Sequence, residues 1–103
     1  MAYPIKFLSL QKAELEYEVE LRGGVGESVQ DLRKQIIKLS QTFLTEDILE
    51  SHLDPSDDLR AVKESLLKSH NNLINLKSRF DKNLFGRTEA LLHHIYHRIN
   101  RIS

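Results

Sequence analysis

The 103-residue chain contains no cysteine, no tryptophan, one methionine, two prolines and four glycines. Without cysteine it can build neither a disulfide scaffold nor a thiolate zinc site, and it has no thiol nucleophile. Its apolar runs reach only two to three residues, as in Phe7-Leu8 and Leu91-Leu92, far short of the ~18 that a membrane-spanning helix needs. The opening Met1-Ala2-Tyr3-Pro4 has neither the charged nor the apolar region of a secretory signal, so an intracellular location, cytoplasmic or nuclear, is expected. Excess charge is lacking too: 15 basic residues balance 15 acidic ones.

With 40% hydrophobic and 29% charged residues, the chain has enough apolar surface to offset the entropy of ordering. At this length it is expected to form one domain over residues 1–103. The balanced total hides a division at Leu59. Residues 1–59 hold six Lys/Arg against twelve Asp/Glu, net −6, and residues 60–103 hold nine against three, net +6. Such halves either attract each other within one fold, or meet a basic and an acidic partner.

Apolar residues recur at helical spacing almost throughout. Pro4 breaks the lead, and Ser9 can cap a first helix from about Leu10 to Leu21, with Glu14, Glu16, Glu18 and Glu20 as a solvated acidic face. Gly23-Gly24 stops it. Ser28 and Asp31 have capping-box spacing, opening a second helix whose stripe is Val29, Leu32, Ile36 and Leu39 and which ends near Ser40. Thr45 is expected to cap a short third helix, Glu46 to Leu53, with Ile48 and Leu49 as its apolar face. Asp54-Pro55 then opens the clearest signal in the chain. Leu59, Val62, Leu66, Ser69, Leu73, Leu76 and Phe80 alternate by three and four, predicting one helix from about Ser56 to Asp81, about 39 Å long, as the central packing surface. A break at Asn83–Gly86 and a cap at Thr88 should start the last helix, with Leu91, Leu92, Ile95, Ile99 and Ile102 on one face. The expected fold is all-α, a bundle of about five helices with a helix–loop–helix at 10–40 and a long helical hairpin at 56–102.

Catalytic constellations are weak. His93 and His97 are spaced i, i+4, enough for two zinc ligands, but no third or fourth ligand accompanies them and Arg98 opposes a cation. Gly23, Gly24 and Gly26 resemble a phosphate loop only superficially, because a helix rather than a strand precedes them and no lysine follows at the required spacing. No nucleophile, base and orienting group assemble at any suggestive spacing, so no catalytic, cofactor-binding or metal-binding residue, no cofactor and no small-molecule substrate are expected.

Two resemblances carry more. In its Glu14-Leu15, Arg22-Gly23 and Leu32-Arg33 landmarks, the segment Leu10–Ile37 resembles the SAP motif, a DNA-binding helix–loop–helix of chromatin proteins. Phosphate contacts require Lys and Arg, which an acidic first helix does not supply. Over nearly the whole chain, the order Glu14-Leu15-Glu16-Tyr17-Glu18, Arg22-Gly23, Val29-x-x-Leu32-Arg33, Leu53-Asp54-Pro55 and the closing stretch Leu92 to Ile102 is similar to the N-terminal region of insect retrotransposon Gag polyproteins. That resemblance implies a role in Gag-type self-assembly, in a mobile element or in a host protein that has taken up the domain.

The reading that follows is a non-enzymatic self-association module, with a homodimer favoured and no membrane partner. Two long helices offer more apolar face than two short ones can cover, and such hairpins commonly pair into four-helix bundles. The expected interface is Leu66, Leu73, Leu76, Phe80, Leu91, Ile95, Ile99 and Ile102. The second reading is nucleic-acid binding through the basic half, with Arg87, Arg98 and Arg101 as contacts.

Overall fold

The computed structural model describes residues 5–102. Four α-helices, α1 (Lys12–Leu21), α2 (Val29–Thr42), α3 (Pro55–Ser78) and α4 (Lys82–Arg101), are joined by irregular segments holding single 3-10 turns at Phe7–Ser9 and Thr45–Asp47. Among the described residues there is no strand, and the molecule measures 40 × 30 × 28 Å. The all-helical expectation holds with four helices rather than five. Pro4 and its effect on the lead lie outside the described residues.

Most helix ends follow local chemistry. The Ser28 hydroxyl accepts the Asp31 amide (3.1 Å) to start α2, and Pro55 takes the first turn of α3, where its missing N–H costs nothing. Gly23 ends α1 in the left-handed region (φ 86°), and the Gly23 and Gly24 amides turn back to the Glu20 and Val19 carbonyls. Gly24 and Gly26 admit close packing: a Cβ on Gly24 would lie 2.8 Å from Val19, and one on Gly26 2.8 Å from Leu32. The glycine loop is filled from inside by Gln35, which exchanges hydrogen bonds with the backbone of Val25.

Three boundaries depart from the sequence reading. Gln11, not Ser9, precedes α1. The third helix reduces to the single turn Thr45–Asp47, because the Thr45 hydroxyl accepts the Arg22 guanidinium (3.0 Å) rather than capping a helix. An eight-residue segment with three apolar residues, two of them exposed (Leu49 and Leu53), gains too little from packing to offset helix nucleation. The hairpin turns at Arg79–Asp81 rather than at Asn83–Gly86, since the Asp81 carboxylate accepts both the Asn83 (2.9 Å) and Leu84 (3.1 Å) amides. Gly86 and Thr88 therefore lie inside α4, with the Thr88 hydroxyl turned back to the Leu84 carbonyl (2.7 Å).

The larger apolar cluster sits at the N-terminal end of the chain, where Leu15 and Val19 of α1 meet Leu32 and Ile36 of α2, with Ile5, Leu10 and Ala90 closing it. The hairpin contributes a much smaller one, Val62, Leu91 and Ile95, with Ile102 packed against it. The long helix is thus not the central packing surface. Its buried residues are Asp58, Val62, Ser65 and Ser69, three of them polar.

Candidate functional site

Two features of the hairpin stand out, one on each of its faces. The face toward α1 is built from charge. Glu18, fully buried, receives Arg22 Nη1 at 2.8 Å and His94 Nδ1 at 2.6 Å, with Arg101 Nη1 at 3.5 Å. Arg22 also donates to the Phe43 carbonyl (2.8 Å), and Arg101 to that of Thr45 (3.4 Å), so the same cations hold the 43–45 segment. Alongside, Arg98 Nε donates to the buried Asp58 (2.8 Å) while its guanidinium lies 3.8 Å from the centre of the Tyr17 ring. Lys68 bridges to Glu14 at 2.8 Å.

Burial pushes the Glu18 carboxyl up. The hydrogen bond and charge of His94, then Arg101 and Arg22, outweigh that and hold it down to about 2. Tyr17 is raised, chiefly by burial. Three pairs join the opposite charges of the two chain halves, Glu14–Lys68, Glu18–Arg101 and Asp58–Arg98. The acidic row of α1 is not a solvated face: Glu14 and Glu18 are buried, while Glu20 is exposed.

This network corrects the expected nucleic-acid contacts. Arg98 and Arg101 are buried in ion pairs; Arg87 alone of the three is exposed, at an open 320 Å³ cleft beside Asn71 and Lys68. The histidine pair of α4 is also accounted for, with His97 buried against the Tyr96 ring and His93 on a groove wall. Among the described residues, no three His, Cys, Asp or Glu converge on a metal position.

The other face of the hairpin is apolar and bare. Residues two apart in a helix lie about 200° around it, so Lys68 and His94 turned toward α1 leave Leu66 and Leu92 turned outward. Two rows at seven-residue spacing result: Leu59, Leu66 and Leu73 on α3, followed at the same interval by Phe80 in the turn, and Phe85, Leu92 and Ile99 on α4. Their exposures run from 38% at Leu92 to 68% at Phe80. Leu73, Leu76, Phe85 and Leu92 together line an apolar groove of about 160 Å³, and the Phe80 and Phe85 rings stack at 5.9 Å at the turn.

Of the expected interface residues, the structure brings Leu66, Leu73, Phe80 and Ile99 to this face, with Leu76 half-buried at its groove. Leu91 and Ile95 instead fill the chain's own core with Val62, and Ile102 packs on them. Leu59, Phe85 and Leu92 belong to the bare face but not to the expected interface: Leu59 and Leu92 stand in the expected apolar stripes, and Phe85 falls in the expected break. Their common signal is the interval of seven. No family model, no curated protein and no solved structure matches the chain, and no described helix is long and apolar enough to cross a membrane.

Proposed function

We propose that the chain is a non-enzymatic self-association module, in which the bare hairpin face pairs with the same face of a second copy to complete a four-helix bundle. One observation carries the reading: two antiparallel helices expose apolar rows at seven-residue spacing on the face that α1 does not cover. Interval-of-seven rows are what one helix pair presents to another in such bundles. At these exposures the seven side chains offer on the order of 700 Å², near the ~800 Å² that each partner brings to a standard interface. Monomeric proteins seldom leave so large an apolar patch in water. The resemblance to Gag N-terminal regions points the same way, toward an assembly role in a mobile element or a derived host protein.

Light scattering on a size-exclusion column tests this. In about 1 M salt, which screens charge-driven contacts, the wild type should pass from 12.0 kDa toward twice that mass as concentration rises, and Leu73→Asp should keep its helical spectrum but stay monomeric. A wild type that remains monomeric into the high micromolar range contradicts the reading. Nucleic-acid binding through Arg87, Arg98 and Arg101 is the weaker alternative, because two of the three guanidiniums are enclosed with carboxylates.

A further inference from the structure

The molecule also carries two apolar surfaces of opposite charge at opposite ends. At the base of the hairpin, where α3 begins and α4 ends, the 43–54 segment exposes Phe43, Leu44 and Leu49 (46%, 46% and 78%) among Glu46, Asp47 and Glu50. No Lys or Arg occurs between Lys38 and Arg60, and none of these three carboxylates has an ion-pair partner among the described residues. The segment is anchored by Arg22 and Arg101 and by the Ser51 amide on the Arg101 carbonyl (3.1 Å), so its apolar side chains are held outward.

Toward the turn, α3 leads into the complement. Leu67 and Ile74, 64% and 51% exposed, flank His70, and the exposed Lys77, Arg79 and Lys82 follow them in the chain. None of those three cations has an ion-pair partner among the described residues. Asp81, the carboxylate nearest them in sequence, is engaged in capping α4. The two charge clusters cannot meet within one chain, since nearly all of the 24-residue α3, about 36 Å long, lies between them in a molecule 40 Å in length.

We infer that the acidic 43–54 surface of one copy docks on the basic turn end of the next. This joins copies head to tail through a contact distinct from the bare-face pairing. The inference rests on the reading that the chain self-associates but uses different residues. The occupant is a second copy because the chain itself supplies both complements: charge of opposite sign, each interleaved with exposed apolar side chains. A contact between different surfaces does not close on itself as a two-fold pair does, so it extends into rings or open arrays. Combined with bare-face dimers, it builds a lattice rather than a discrete particle.

The test is scattering mass at two salt concentrations on wild type and two variants, Glu46→Lys/Glu50→Lys and Lys77→Glu/Lys82→Glu. All four positions are exposed, so the fold, checked by circular dichroism, should survive. In about 0.1 M salt, where the Debye length is ~10 Å, the wild type should grow past the dimer, and in about 1 M salt, at ~3 Å, it should fall back to the dimer. Each variant alone should stop at the dimer in low salt, and an equimolar mixture of the two, now complementary in the opposite sense, should grow again. A wild type that stops at the dimer in both salts, or variants that grow as the wild type does, overturns end-to-end docking. Failure of the bare-face pairing looks different: growth in low salt that falls back to monomer, not dimer, in high salt.

Discussion

The two faces of the α3–α4 hairpin differ in how they distribute polarity. The face toward the chain's own interior buries Asp58, Ser65, Ser69, His94, Arg98 and Arg101 alongside Val62, Ala90, Leu91 and Ile95, whereas the face toward solvent carries rows of leucine, isoleucine and phenylalanine. Folding of the single chain therefore relies on α1 bringing Glu18 and Glu14 to the inner face, where cations wait for them. The outer face is covered by no other helix of the chain and leaves its apolar side chains 38–68% exposed. The contrast separates two physical roles: buried charge gives the hairpin its partner within the chain, and the proposed self-association draws on the exposed apolar area.

The comparison breaks most severely at Glu18. Replacing it with alanine leaves Arg22, His94 and Arg101 enclosed without their shared carboxylate, and removing one member of a buried ionic group typically costs ~3–5 kcal/mol. Glu18→Ala is expected to lower the thermal midpoint by many degrees or to prevent folding. A midpoint within a few degrees of wild type would mean that the inner face is held by something other than this network.

Acid probes the same face more gently. The folded state holds the Glu18 carboxyl at about 2 against an ordinary 4.5, so it favours the ionised form. Its contribution to stability is full above pH 4.5 and is lost as pH falls toward 2. Helical signal followed by circular dichroism should show stability declining through that window. A stability curve flat across it would contradict the assignment.

The sequence revealed the elements better than their orientation. Four helices, the Ser28 cap, the Gly23 stop and the long α3 are legible because each depends on neighbours within a turn or two. The interval Leu59–Leu66–Leu73–Phe80 is legible as well, but not the side it faces: Val62 and Ser69 share that stripe and turn inward with Asp58 and Ser65, while the leucines turn out. Periodicity locates an apolar stripe without saying which chain covers it. Arg98 and Arg101 read as free cations because Asp58 and Glu18, 40 and 83 residues away, give no local sign of the pairing. Glu18 and Arg22 did carry one, their i, i+4 spacing. The expected third helix does not form because Thr45, a cap by residue type, accepts the Arg22 guanidinium instead.

The smallest expected effect on the single chain is also the most direct test of the central claim. Leu73 is 50% exposed, so Leu73→Asp should change monomer stability by no more than about 0.5 kcal/mol, as at an ordinary surface site. Thermal midpoints of wild type and Leu73→Asp, measured in about 1 M salt to suppress charge-driven contacts, should agree at the lowest protein concentrations. As concentration increases, the wild-type midpoint should climb, because pairing stabilises the folded state by mass action, while that of the variant stays constant. A wild-type midpoint independent of concentration, or a variant already much less stable when dilute, would show that the leucine rows do not serve a second copy.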